Sequence, residues 1–283
     1  MSSSTARIAY LGPAGTFTED ALGEALDPGV EREPLRTATI REAILAVERG
    51  EAERALVPFE NSIEGSVRTS LDTLAFDAAN VTIVGEHDFA VRAMLIVREE
   101  IELEGIERVL SHPQPLAQCA RFLRENLGGV AQQSTPSTAE AVRVVSDSAR
   151  PWAAIGAAAA AELYGCTVLR EGIEDEANNV TRFVWIAPKG TQPGEGEAWK
   201  TSLVFAELGE DHPGALVEAL QEFSGRAVNL SRIESRPLRR ELGRYMFFCD
   251  LEGALSEPPV AAAVEALRGK AESVRILGSY PTR

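Results

Sequence analysis

The chain has 283 residues, 45% apolar and 25% charged, the balance of a globular protein with room for one large domain or two ordinary ones. Its 28 Lys and Arg against 43 Asp and Glu leave a net charge of −15, which repels phosphate backbones and anionic lipid, so nucleic acid and membrane are set aside as partners. The start, Met1–Thr5, is short and polar rather than a leader, and the longest apolar stretch, Ala153–Ala161, is far below the roughly 20 residues that cross a bilayer.

Taken in chain order, Arg7–Leu11 is a short apolar strand. It runs through Gly12-Pro13-Ala14-Gly15 into a helix opened by Thr16, with Glu19 at capping-box spacing. Thr39 with Glu42 repeats the arrangement before a helix that stops at Gly50, and Ser111 with Gln114 and Ser137 with Glu140 do so again. Strands alternating with helices predict an α/β fold with largely parallel sheets. Ligands of such sheets bind beyond the carboxyl ends of the strands, where helix N-termini direct their N–H groups. Several such loops converging on one cleft would hold an anion with few basic side chains, whereas any single cap only steadies its helix by about 1 kcal/mol.

Lys189–Lys200, with its glycines and Pro193, predicts a flexible connector. Beyond it, Thr201–Glu207 is a strand, Pro213–Phe223 a helix, Ala227–Glu234 and Tyr245–Leu251 strands, Pro259–Leu267 a helix and Ser273–Leu277 a strand. That β-α-β-β-α-β order is ferredoxin-like and leaves sheet surface open for pairing with a second copy. Cys119, Cys166 and Cys249 are scattered, which fits buried thiols in a reducing cytoplasm, and with His87, His112 and His212 they form no metal-ligand pattern. The glycines at 12 and 15 lack dinucleotide spacing, and no P-loop lysine follows, so neither a metal nor another cofactor is expected.

Three stretches of the first piece carry a family resemblance. They are Gly12-Pro13-Ala14-Gly15-Thr16-Phe17-Thr18; Val57-Pro58-Phe59-Glu60-Asn61-Ser62-Ile63-Glu64-Gly65; and Ile173-Glu174-Asp175 through Asn179-Val180-Thr181-Arg182-Phe183. Ser111-His112-Pro113-Gln114, Gln118-Cys119 and Ser137-Thr138-Ala139 add weaker support. In this order they resemble the prephenate dehydratases. Phe59 stands where that family often has Ile or Leu, and as an apolar residue it is expected only to pack. Gly214-Ala215-Leu216, Asn229-Leu230 and Glu234-Ser235-Arg236-Pro237 are similar to the phenylalanine-binding segments of the family's ACT regulatory domain.

The resemblance implies a catalytic domain over 6–188 with two lobes like those of periplasmic binding proteins, about 6–82 plus 180–188, and 83–175. A linker at 189–199 and an ACT domain over 200–283 would follow. It implies a homodimer or homotetramer of the monofunctional form, which removes carbon dioxide and water from prephenate and answers to L-phenylalanine as allosteric effector. Thr181 is then the first catalytic residue, because its hydroxyl can hydrogen-bond the leaving group without adding negative charge beside a dianion. A Thr hydroxyl is too weak an acid to act alone, so Ser62 or Glu64 would share the task, Glu64 only if burial kept it protonated. Thr16, Glu60, Asn61, Arg182 and Phe183 are the substrate-binding candidates, with Arg182 offering either a fixed charge or an ion pair to Asp175. Gly214, Ala215, Leu216, Asn229, Leu230, Glu234 and Ser235 are the effector-binding candidates. His112 is expected to be structural, and Glu48, Glu51 and Glu53 to lie on a solvated face. Arogenate, the amino-acid relative of prephenate, is the alternative substrate, and a non-catalytic phenylalanine sensor the alternative role.

Overall fold

In the computed structural model, residues 6–26, 32–209 and 213–282 are described; the readings made on Met1–Thr5 and His212 lie outside them. The chain begins β1 (Ala6–Leu11), α1 (Phe17–Ala25), β2 (Arg32–Thr37), α2 (Ile40–Glu48), β3 (Arg54–Asn61), β4 (Gly65–Ser66), α3 (Arg68–Asp72) and a π-helical turn (Thr73–Asp77). It continues β5 (Val81–Ala90), β6 (Met94–Val97), β7 (Arg108–Ser111), α4 (Pro113–Gln118), α5 (Ala120–Asn126), β8 (Ala131–Ser134), α6 (Thr138–Asp147), β9 (Trp152–Gly156), α7 (Ala158–Leu163), β10 (Thr167–Arg170) and β11 (Val180–Pro188). The last third is β12 (Ala198–Ala206), α8 (Ala215–Ser224), β13 (Leu230–Pro237), β14 (Tyr245–Glu252), α9 (Pro258–Arg268) and β15 (Ser273–Thr282).

The described chain forms two compact units that do not follow sequence order. The first holds residues up to 43, 56–65 and 88–183; the second holds 44–55, 66–87 and 184 onward.

In the first unit, β1 and β2 pair in parallel in the strand order β11-β3-β1-β2. A separate five-stranded sheet runs β10-β6-β9-β7-β8. That second sheet is mixed rather than largely parallel: β7 pairs in parallel with β8 and β9, while β6 runs antiparallel to β9 and β10. Period-two alternation divides its side chains between two apolar clusters. Leu95, Val97, Val109 and Ile155 pack with Leu116, Cys119 and Leu123 of the α4–α5 layer on one face. Ile96, Leu110 and Ala154 pack with Val142, Val145 and Ala160 of α6 and α7 on the other. Burial on both faces explains why the inner strands β6 and β9 read as continuous apolar runs.

In the second unit, β12 to β15 form an antiparallel sheet ordered β13-β14-β12-β15, the ferredoxin-like arrangement expected from the alternation of elements. Leu203, Phe205 and Leu251 of the sheet pack against Phe223 of α8 and Val264 and Leu267 of α9. β15 is longer than the sequence suggested, and through Gly278 it pairs with Ile83 of β5, which belongs to the same unit.

The four expected capping boxes form unevenly. Ser137 accepts from the Glu140 N–H at 3.1 Å, and Thr39 from that of Glu42 at 3.1 Å. Thr16 is the N-cap of α1 by backbone geometry, but its side chain makes no cap; its hydroxyl points back to the Leu11 carbonyl at 3.4 Å. Glu19 is drawn away, accepting from the Gly15 N–H at 2.6 Å and from the Tyr10 hydroxyl at 2.5 Å. Ser111 is buried and donates to the Ile155 carbonyl, so His112 takes over as N-cap of α4, its Nδ1 accepting from the Gln114 N–H at 3.4 Å.

Candidate active site

A cavity of about 690 Å³ opens in the first unit at the ends of its strands. The β1–α1 turn supplies Gly12, Pro13, Thr16, Phe17 and Thr18 to its wall, and α4 with its N-cap supplies His112, Gln114 and Gln118. Ser137 and Thr138 open α6 on the same space, and Asn61, Asn179, Thr181 and Phe183 complete it. None of its lining residues is Lys or Arg, and Glu140 is its only carboxylate. The helix N-termini therefore carry the positive end of the site: the first N–H groups of α1 and α6 have no intrahelical acceptor and favour anions. Gly15 makes the turn possible, since its φ is +78° and a Cβ there would lie 3.0 Å from the Ala160 Cα of α7.

Asn61 organises the chemistry at the wall. Its Oδ1 accepts from the backbone N–H groups of Ile63 and Glu64 at 2.9 and 3.0 Å, which fixes the orientation of the amide. Nδ2 must then face the other way, where it donates to Thr181 Oγ1 at 2.9 Å and to Asn179 Oδ1 at 2.8 Å. Thr181 Oγ1 accepts this hydrogen bond from Asn61, so its own O–H can turn toward the cavity. The amide chain continues as Asn179 Nδ2 donates to Gln118 Oε1 at 3.3 Å, and Gln118 Nε2 to Glu64 Oε1 at 3.3 Å.

Of the eight catalytic and substrate-binding candidates, Thr16, Asn61, Thr181 and Phe183 line the cavity, whereas Glu60, Ser62, Glu64 and Arg182 do not. Ser62 donates to the Asn178 carbonyl at 2.6 Å and accepts from the Val180 N–H at 3.0 Å, so its hydroxyl is spent on holding the start of β11. Arg182 alternates to the far side of β11 from Thr181 and Phe183. There it donates to Glu60 at 2.9 Å and lies over the Phe59 ring, its Cζ 5.1 Å from the centroid. Asp175, the other partner considered for Arg182, instead accepts from the Arg121 N–H at 3.0 Å. The Glu64 side chain meets the network at its end, through Gln118, while its backbone N–H holds Asn61. His112, Gln114, Gln118, Ser137, Thr138 and Asn179 were not singled out as site residues and all line the cavity. Their signal was present in the motif segments, and adjacency to helix starts would have found His112 and Ser137.

A smaller cavity of about 380 Å³ lies in the second unit, lined by Leu208, Gly214, Ala215, Leu216, Gly243, Tyr245 and Phe247. Gly214, with φ +103°, is the N-cap of α8. Of the other effector candidates, Asn229 and Ser235 are exposed and Leu230 and Glu234 half-buried, and none of the four lines this cavity.

The prephenate dehydratase family model matches residues 8–191, and the ACT domain model residues 203–269. A prephenate dehydratase of Mycolicibacterium gilvum is 40% identical over 284 residues, covering 97% of this chain and 91% of that one. The structure of prephenate dehydratase from Arthrobacter aurescens in complex with L-Phe is similar with a TM-score of 0.88 and 38% identity, over 97% of this chain and 90% of that one. GqqA, described as a novel type of quorum quenching acylase, is similar with a TM-score of 0.86 and 33% identity over 98% of both chains. The chain belongs to the prephenate dehydratase family of carbon–oxygen lyases and carries an ACT domain after its dehydratase region.

Proposed function

We propose that the chain converts prephenate to phenylpyruvate in the first-unit cavity, with Thr181 as the catalytic residue. The observation that carries the proposal is the orientation of Thr181 by Asn61, which leaves one donor O–H facing a cavity that helix N-termini open onto. Prephenate brings two carboxylates and a ring hydroxyl. As the ring carboxylate leaves as carbon dioxide, its bonding electron pair enters the ring and the hydroxyl leaves with a proton as water, making the ring aromatic. The Thr181 O–H hydrogen-bonds the departing oxygen, and the proton that completes water comes from solvent or a neighbouring acid. The N–H groups at the starts of α1 and α6 suit the pyruvyl carboxylate. The apolar walls at Phe17, Val91 and Phe183 leave the ring carboxylate poorly solvated, so its loss is not resisted.

Glu64, Ser62, Glu60 and Arg182 act by position in this reading. Ser62 and the Glu60–Arg182 pair fix β3 against β11, and Glu64 ends the amide chain from Asn61. Residues 6–188 form the catalytic domain, 189–199 the linker and 200–283 the regulatory domain. L-phenylalanine binds the smaller cavity at Gly214–Leu216, and Asn229, Leu230, Glu234 and Ser235, which lie outside that cavity in one chain, reach the effector from a second copy. Exposed Val217, Ile233, Leu242 and Tyr245 favour a homodimer or homotetramer. No helix among the described residues is long and apolar enough to cross a membrane, and the three scattered free cysteines favour work in the reducing cytoplasm.

The test is phenylpyruvate formation from prephenate by the purified chain without added cofactor, with and without L-phenylalanine. Arogenate runs in parallel. Turnover of prephenate that phenylalanine suppresses supports both sites; preferential turnover of arogenate replaces the substrate. Thr181→Ala should keep the fold and lower kcat by about 10²–10⁴, and a kcat near wild type would remove Thr181 from the mechanism.

A further inference from the structure

β13 carries Leu230, Glu234 and Ser235 of the proposed effector site, and the same strand reaches into the segment that leaves the active-site turn. Arg236 grips Asp72 with both ends of its fork, Nε to Oδ1 at 3.1 Å and Nη2 to Oδ2 at 2.7 Å. Arg239, just past the strand, donates to the same Oδ2 at 2.6 Å. Nearer the start of β13, Arg232 donates to Ser66 Oγ at 2.8 Å. The Asp72 side chain is only 13% exposed, so two guanidinium groups share one largely buried carboxylate. Bidentate pairs of this kind fix direction as well as distance. All of these contacts lie within the second unit.

Ser66 lies just before α3 and Asp72 is the last residue of that helix, and the chain runs directly from Glu64 through Gly65 into Ser66. The Glu64 N–H is one of the two donors that hold Asn61 Oδ1, and Asn61 in turn orients Thr181. A shift of β13 along its own axis would therefore pull the 66–72 segment through its arginines. The covalent chain would pass that displacement to the Glu64 N–H, and Asn61 would lose its aim at Thr181 Oγ1.

We propose that Asp72 is the coupling residue of this enzyme: held by Arg236 and Arg239, it transmits occupancy of the effector site on β13 to the turn that orients Thr181. The assignment rests on the reading of β13 as part of an L-phenylalanine site. It gives Asp72 no role in catalysis and none in effector binding, so its loss separates two quantities that usually change together. A coupling of this kind is a difference in affinity between two states, about 5-fold to 150-fold.

The experiment compares full-length wild type with Asp72→Asn in three measurements: turnover of prephenate without effector, L-phenylalanine binding by calorimetry, and inhibition at saturating L-phenylalanine. Asp72→Asn keeps the size of the side chain and one acceptor oxygen. The expected result is basal turnover and phenylalanine affinity within about 3-fold of wild type, with inhibition weakened by about 5-fold or more. Arg239→Gln, at an exposed position, should weaken inhibition in the same direction by less, because Arg236 keeps its hold on Asp72. Unchanged inhibition in Asp72→Asn overturns the proposal, as does inhibition lost in step with binding. If Asp72→Asn does not fold, Arg239→Gln decides by the same split. Wild type that binds no L-phenylalanine shows itself before any variant is compared; that failure removes the effector reading and the coupling with it.

Discussion

At the scale of single residues, the site depends on which end of one amide faces which neighbour. Asn61 presents oxygen to two backbone N–H groups and nitrogen to Thr181, and Asp at that position cannot do both jobs. A carboxylate oxygen facing Thr181 Oγ1 would draw the hydroxyl proton to itself and place a negative charge beside a dianion. Asn61→Asp should therefore lower kcat by about 10²-fold or more, approaching the loss in Thr181→Ala. Thr181→Ser, which keeps the hydroxyl, should retain most of kcat, and steady-state kinetics on the three variants checks the ordering. If the Ser variant were as damaged as the Ala variant, Thr181 would matter through packing rather than through its hydroxyl. Thr181 could be named from the sequence because its neighbours in the chain form a motif. The relay of Asn179, Gln118 and Glu64 could not, because its members are 61 and 54 positions apart and meet only when the strands pack. Arg182 was drawn into the site by adjacency to Thr181, and strand alternation sends it to the other face.

At the scale of elements, helix starts build the cavity, and their strength is measurable. Ser137→Ala removes the acceptor for the Glu140 N–H and should destabilise the protein by about 1 kcal/mol, seen as a lower urea midpoint with unchanged slope. The start of α1 carries a different constraint. Asp20, in its first turn, is hydrogen-bonded by the backbone N–H of Ala159 near the start of α7, and burial pushes its pKa up to about 6. Because the folded protein holds this proton more tightly than the unfolded chain does, the contribution is fully present below the ordinary carboxylate value near 3.8 and is lost as pH rises through about 6. Asp20→Asn should thus raise stability at pH 7 and flatten the stability profile between those two values. Discounted for the exposure of the group, the gain is roughly 1 kcal/mol. A variant less stable than wild type at pH 7 would mean that the ionised cap on Ala159 outweighs desolvation. Spacing alone revealed the Ser137 and Thr39 caps because their partners are local. It misread Thr16 because Glu19 had better partners in Tyr10, Gly15 and Arg36, which the strand order brings alongside.

At the scale of the whole molecule, the order of the chain and the order of packing differ. The sequence shows a connector near 189–199, and the elements on either side of it read as separate folds. Yet residues 66–87 pack in one unit with residues from 184 onward. Lys200 meets Glu86 at 2.7 Å, with the two side chains only 15% and 8% exposed. Arg275 donates to the carbonyls of Leu74 and Ala78, and Gly278 lies so close to Ile83 that a Cβ would collide with its backbone. None of this could be read from local pattern, because it depends on long-range pairing between β15 and β5. A chain ending at Gly196 would lose Lys200, Arg236, Arg239, Arg275 and β15 together. Removing one partner of a buried ion pair costs about 3–5 kcal/mol, against a total stability of about 5–15 kcal/mol for a typical domain. The fragment 1–196 should therefore lack a cooperative thermal transition, even though it retains every residue that lines the larger cavity. Lys200→Ala in the full chain should show the first of those losses by itself, as a drop of about 3–5 kcal/mol in urea unfolding. If the fragment melted as cooperatively as the whole chain and still turned over prephenate, the contacts of residues 66–87 with the C-terminal strands would be dispensable. Phenylalanine control would then have to reach Thr181 by a route other than Asp72.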